Sequence, residues 1–258
     1  MRFLEKNVLV TGAATGVGRT VAQAFASEGA DVAILDFQEA DATVQEIKSL
    51  GRRCQAFRAD VRDEGEVDSA IRGVSDFFGG RIDVLVNNAG FNGHYSLIKD
   101  MPLAHWRETL EINLTGTMLV TRTVLALMIA RQSGAIVTTA SNVARRGLPY
   151  RADYVCSKWA LLGFTQTLAL EVAAHKIRVN AVCPGPIEGD RIEDVMAHHA
   201  AVEGKSIAEI RRAWEVAAPM DRFVEGQEVA AVMLFLCSAD ASAMTGQALN
   251  VTGGFLMT

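Results

Sequence analysis

The chain has 258 residues, half of them apolar and about a fifth charged, with a formal net charge of −5. This composition builds a sizeable packed core and excludes a disordered chain. Acidic and basic residues are interspersed, so no basic stripe offers the phosphate-neutralising surface that nucleic acid requires. Cys54, Cys156, Cys183 and Cys237 are scattered with no CxxC spacing, which argues against a zinc site or a disulfide framework and fits a reducing cytoplasm. The start holds only a short apolar run at 8–10, and the apolar stretch 114–130 is interrupted by Arg122, so neither a signal peptide nor a membrane span is expected.

In chain order, a β-branched run at 8–11 leads into helical spacing over 17–28. The strand-like run 32–36 is followed by a helix at 39–50, 54–57 by 64–78, 82–87 by 103–131, and 135–141 by 155–174. A run at 177–182 precedes an irregular stretch, then a helix at 227–237 and a last strand at 248–251. Strands that alternate with helices and are apolar throughout predict a parallel sheet covered on both faces, a doubly wound α/β fold of the Rossmann type. No linker composition or fixed-period repeat divides the chain, so 1–258 is expected to be one dinucleotide-binding catalytic domain. Between Pro184 and Pro219 a Pro-Gly-Pro turn opens a polar, helical insertion, and 186–219 is predicted to be a substrate lid.

The first strand ends in Thr11-Gly12-Ala13-Ala14-Thr15-Gly16-Val17-Gly18 and runs directly into a helix. Glycines there let the backbone turn tightly and approach a pyrophosphate, while the helix start supplies free N–H groups and positive dipole. Gly12, Thr15, Gly16, Val17 and Gly18 are therefore candidate dinucleotide contacts. Asp36 closes the second strand about 20 residues on, where a carboxylate accepts hydrogen bonds from the adenosine ribose and repels a 2′-phosphate. Ala13, Ala14 and Phe37 stand where a cation would be wanted for that phosphate. NAD is predicted over NADP.

Tyr154 and Lys158 stand four apart on a predicted helix, so both side chains share one face and the ammonium favours tyrosinate. A phenol with its pKa drawn toward working pH can take a proton from an alcohol or return one to a carbonyl oxygen. Ser141, at the end of the fifth predicted strand, can hydrogen-bond the substrate oxygen beside Tyr154. Taken singly, each of these residues has an ordinary explanation as a helix, surface or strand-end side chain. Their order and spacing carry the argument.

With the Gly-rich loop, the acidic strand end, Asp60-Val61, Asn87-Asn88-Ala89-Gly90, Asn113, Ser141, Tyr154, Lys158 and Pro184-Gly185 all in sequence, the chain resembles the short-chain dehydrogenase/reductase family over essentially its whole length. The resemblance implies that Lys158 also binds the nicotinamide ribose and that Asn113 holds a water linking this lysine to solvent. It further assigns Asp60 and Val61 to the adenine, Asn87, Ala89 and Gly90 to the cofactor cleft, and Pro184, Gly185 and Ile187 to the nicotinamide end. One departure stands out: the family commonly has a threonine where this chain has Gly189. The family's usual pairing of the helix that carries Tyr154, and of the helix before it, implies a homotetramer.

Substrate selectivity is expected beyond the strands' carboxyl ends, in segments carrying Asn92, His94, Arg145, Arg146, Tyr150, Arg151, Glu188, Arg191 and Trp214. Asn92, His94, Arg145 and Arg151 are the substrate candidates. Arginine forks match a carboxylate or sulfonate, which suggests a hydroxy or oxo acid or a polar polyol. His198 and His199 are adjacent and do not share a helix face, so no metal site is assigned. The function expected is NAD-dependent interconversion of a small secondary alcohol and its ketone. The alternatives are an NAD-binding regulator without turnover, an epimerase or dehydratase, and an enoyl reductase, whose Tyr–Lys interval is typically longer.

Overall fold

A computed structural model describes residues 1–257; Thr258, the last residue of the predicted domain, lies outside them. Seven parallel strands form one sheet: β1 (Asn7–Thr11), β2 (Asp31–Asp36), β3 (Cys54–Arg58), β4 (Val84–Asn87), β5 (Gly134–Thr139), β6 (Ile177–Pro184) and β7 (Ala248–Val251). Their order across the sheet is β3-β2-β1-β4-β5-β6-β7, so the winding reverses between β1 and β4. That reversal opens a crevice at the strands' carboxyl ends, where ligands of such sheets bind.

The helices are α1 (Gly16–Ser27), α2 (Asp41–Ser49), α3 (Glu64–Phe77), α4 (Leu103–Leu110), α5 (Gly116–Arg131), α6 (Ala152–Val172), α7 (Asp190–Glu203), α8 (Ile207–Val216) and α9 (Gly226–Cys237). They cover both faces because successive strand residues point opposite ways and nearly all are apolar. Val8, Val10, Val32, Ile34, Val84, Val86 and Val137 pack with α1 and α9 into one core. Leu9, Ala33, Leu35, Leu85, Ile136 and Val179 pack with α3, α5 and α6 into the other.

The predicted helix at 103–131 is three pieces, since a π-helical turn at Glu111–Thr115 separates α4 from α5. The extra residue draws Asn113 inward, where its amide donates to the Phe91 carbonyl and the Ser157 hydroxyl, both at 2.9 Å. Leu103–Arg131 is apolar and long enough to cross a membrane by length and composition, yet Leu119, Val120, Val124 and Met128 are buried in the second core. Strand β5 stops at Thr139, before the predicted 141, because Ser141 turns out of the ladder to cap a tight turn at Asn142–Arg145. The insertion after β6 is helical as expected: α7 and α8 close over Met196, Ala200, Ile210 and Phe223, and Ser206 with Glu209 forms a reciprocal cap at the start of α8.

Candidate active site

A cleft of about 1400 Å³ runs along the carboxyl ends of the strands from the glycine loop to α7. At its β1 end, Gly12 and Gly16 take left-handed φ angles of 64° and 57°. A Cβ on Gly12 would stand 2.6 Å from the Ala89 Cα, and one on Gly18 only 2.0 Å from the Gly12 oxygen. Gly16 faces open space instead, with nothing within 4 Å of its Cβ position. Two glycines thus permit close packing and the third leaves room for a ligand. The Thr15 side chain makes no capping bond to α1, so the first-turn N–H groups are free for an anion. These observations fit a dinucleotide pyrophosphate.

Asp36 lies in the same wall, 8% exposed, and is held from both sides. One carboxylate oxygen accepts the Ala14 N–H at 2.9 Å and the other the Gln38 N–H at 3.0 Å. Phe37, 63% exposed, presents a ring to the cleft. Asp60 is paired with Arg62 at 2.5 Å, and the Arg62 hydrogen bonds hold its carboxyl below the usual range against the effect of partial burial.

At the far end, Tyr154 and Lys158 sit in the first two turns of α6, with the ammonium 5.7 Å from the phenol ring centre. Burial by itself would raise the tyrosine pKa. The positive fields of Lys158, Arg191 and Arg151 and a hydrogen bond with Ser141 outweigh it, and the phenol falls below its usual value. Lys158 donates to the Thr139 carbonyl at 2.7 Å, and burial together with Arg191 lowers its own pKa against the pull of Tyr154. Ser141 Oγ accepts the Val143 N–H at 3.3 Å and donates to Asn142 Oδ1 at 3.2 Å, which fixes the hydroxyl at the cleft wall. A phenol with its pKa drawn down, beside a lysine and a hydroxyl, can exchange a proton with an alcohol or carbonyl oxygen.

Gly12, Thr15, Gly16, Val17, Gly18, Asp36, Phe37, Asp60, Val61, Ala89, Gly90, Ser141, Tyr154, Lys158, Pro184, Gly185, Ile187, Asn92 and Arg151 all line this cleft. Four expected residues do not. Asn87 points beneath the sheet and donates to Thr121 Oγ1 at 2.8 Å; it is Asn88 that faces the cleft, tying the glycine loop to β4 through the Thr11 and Gly12 carbonyls. His94 stacks on His105 at 3.8 Å and bonds Glu108 at 3.0 Å, both on α4. Arg145 is spent on the Ala248 carbonyl of β7 at 2.6 Å. Asn113 lies behind Gly90, its oxygen accepting the Phe91 N–H at 2.7 Å.

Arg151 reaches the cleft but is only 2% exposed. Its guanidinium is wedged 4.5 Å from the Tyr95 ring and 4.7 Å from the Tyr154 ring, and it donates to Tyr95 Oη and the Asn92 carbonyl. It supports Tyr154, and among the described residues its Nε is buried without a hydrogen-bond partner. Asp153, which the sequence does not single out, is fully buried and accepts from the Tyr154 N–H (2.7 Å), Thr109 Oγ1 (2.7 Å) and the His94 N–H (2.9 Å). Gly189, in place of the family threonine, has φ 134°, a conformation that strains any residue with a Cβ. Among the described residues no group of three or more His, Cys, Asp or Glu is placed to hold a metal.

Fold and site together define a nicotinamide-dependent oxidoreductase of the tyrosine–lysine type. The family model described as enoyl-(acyl carrier protein) reductase matches residues 12–256. Galactitol 2-dehydrogenase of Agrobacterium fabrum (strain C58) is 38% identical over the full length of both chains. The 3-oxoacyl-[acyl-carrier-protein] reductase of Synechocystis sp. is also 38% identical, over 96% of each. Among solved structures, NAD+-bound xylitol dehydrogenase superposes with a TM-score of 0.95 at 33% identity, covering 98% of this chain and 100% of that one. Actinorhodin polyketide ketoreductase with NADPH superposes at 0.93 and 35% identity, covering 97% of each. The chain belongs to the short-chain dehydrogenase/reductase family. It is an oxidoreductase acting on CH–OH or keto groups with a nicotinamide cofactor.

Proposed function

We propose that this protein interconverts a small secondary alcohol (a polyol, sugar or hydroxy acid) and its ketone, using NAD in preference to NADP. The observation that carries the reading is the Tyr154 phenol, held below its usual pKa beside Lys158 in a cleft whose other end is closed by Asp36. The bound nicotinamide supplies or accepts the hydride. Tyr154 Oη takes the carbinol proton in oxidation and returns it in reduction, Ser141 orients the substrate oxygen, and Lys158 stabilises the tyrosinate. Asn113 positions the Phe91 backbone and Ser157 beside them.

Preference for NAD is supported by the Asp36 carboxylate, which repels a 2′-phosphate, and by the pairing of the nearby Arg19 with Glu46 and Arg62 with Asp60. The residues 1–258 are read as one catalytic domain with 186–219 as its lid, in a cytoplasmic protein whose four cysteines are free. A homotetramer is supported by the exposed Trp159 (50%) and Leu170 (83%) on α6; a monomer in light scattering would contradict it. Reduction of a 3-oxoacyl thioester is the second reading, favoured by the Synechocystis relative. Absorbance at the NADH band, with galactitol, xylitol and hydroxy acids in one direction and a 3-oxoacyl thioester in the other, separates the two. Equal use of NAD and NADP would refute the cofactor assignment.

A further inference from the structure

Four cations border the cleft around Tyr154: Lys158 on α6, Arg146 and Arg151 in the segment after β5, and Arg191 on α7. Among the described residues none of them pairs with a carboxylate. Lys158, Arg151 and Arg191 donate to neutral acceptors: the Thr139, Asn92 and Gly90 carbonyls, Tyr95 Oη and Asn92 Oδ1. The carboxylates of the same cleft are engaged elsewhere. Glu188 binds Arg211 at 2.7 Å, Glu108 binds His94 at 3.0 Å, Asp60 binds Arg62, and Asp36 is held by backbone N–H groups. Asp190 is exposed at the start of α7 and, among the described residues, makes no ion pair with Arg191.

Concentrated positive charge in a partly desolvated cleft is costly unless an anion accompanies it. Lys158 lies against the Tyr154 ring and donates to the Thr139 carbonyl, and Arg151 is packed between two rings. Arg191 is different: Nε donates to Asn92 Oδ1 at 2.7 Å and Nη2 to the Gly90 carbonyl at 2.9 Å, while Nη1 has no hydrogen-bond partner among the described residues. Those bonds hold the guanidinium over the mouth of the site, close enough for its field to act on both Tyr154 and Lys158. Arg146 lies 4.8 Å from the Phe255 ring, exposed in the same cleft.

We infer that Arg191, assisted by Arg146, forms a carboxylate-binding subsite beside Tyr154, so that the preferred substrate is a hydroxy or oxo acid and not a neutral polyol. A planar fork matches a carboxylate with two parallel hydrogen bonds, which a hydroxymethyl group cannot reproduce. The inference rests on the proposed alcohol–ketone activity and narrows its substrate class.

Matched pairs test it: galactonate against galactitol and gluconate against glucitol differ only in carrying a carboxylate for a terminal CH2OH. The acid should be preferred in kcat/KM by the native enzyme. Arg191→Gln should reduce the acid-to-polyol ratio at least about tenfold, chiefly through KM, with Arg191→Lys retaining part of it and Arg146→Gln having a smaller effect. An unchanged ratio, or a loss of NADH affinity in fluorescence titration as large as the rise in KM, would overturn the subsite; the second result would give Arg191 to the cofactor. Binding of the acids to the NADH-loaded protein, read by Trp214 fluorescence, keeps the two levels apart. Acid binding abolished by Arg191→Gln, with no alcohol turned over, sinks the proposed reaction but keeps the subsite. Polyol turnover with no acid binding sinks the subsite alone.

Discussion

The two ends of the cleft are built from different materials. Around the glycine loop the fit is made by backbone: missing Cβ atoms at Gly12 and Gly18, free N–H groups at the start of α1, and a carboxylate at Asp36 that is itself fixed by two backbone donors. Around Tyr154 the work is done by ionised side chains from several elements, with Lys158, Arg151 and Arg191 on different sides of one phenol. Backbone recognition suits a ligand that is always the same, whereas side chains on a loop and a helical lid can change without disturbing the sheet. The glycine-loop end should therefore fail through fit and stability, and the Tyr154 end through charge and rate.

Tyr154→Phe sharpens that contrast most. It should lower kcat by about 10²- to 10⁴-fold, the usual scale of a lost general acid/base, with folding and NADH affinity in fluorescence titration nearly intact. Asp36→Ala should next lower the NAD-over-NADP ratio of kcat/KM by about tenfold or more, because the like-charge repulsion of the 2′-phosphate disappears. Gly18→Ala pushes a methyl toward the Gly12 oxygen and should cost about 1–3 kcal/mol, seen as a lower Tm, and weaken NADH binding with it. A fall in kcat with Tm and cofactor affinity preserved would break the comparison.

The pH profile reports the charged end. Oxidation needs tyrosinate, so its rate should rise with pH and level off above a midpoint below the ordinary value of 10, while reduction needs the phenol and should fall across the same midpoint. Arg151→Gln removes a cation from the ring face and should move that midpoint upward; an unmoved midpoint would show that Lys158 and Arg191 account for the whole effect. The smallest effect belongs to Arg211→Gln on α8. It breaks a network with Glu188, Glu193 and Glu215 but should cost only about 0.2–1 kcal/mol in denaturant titration, since Glu188 and Glu193, two of the three partners, are exposed.

How far the sequence reaches follows the same division. Alternating apolar runs and the glycine loop are local signals, so the sheet, its helical layers and most cleft residues are legible from them. Facing is harder: Asn87 and Asn88 are adjacent, and only the register of β4 decides that the second meets the cleft. Arg145, Arg151 and Arg191 read alike as arginines near a site. Tertiary contacts alone send one to β7, wedge the second between two tyrosines and leave the third at the mouth. Asp153 carries no pattern at all, because two of its three partners, Thr109 and the His94 N–H, come from distant segments and the third is the backbone N–H of its neighbour Tyr154.

The π-helical turn at Glu111–Thr115 sets a rule about length. The turn holds one residue more than an α-helix needs for the same rotation, so removing one residue between Leu110 and Gly116 would restore regular winding with the flanking helices left in register. Thr121 and Val124 would keep their places under the sheet, while the bulge that turns Asn113 toward Phe91 and Ser157 would be lost. Substitutions along this stretch can be absorbed one side chain at a time, but a single-codon deletion there would strip the reacting end of the cleft of its Asn113 support while leaving the second core packed.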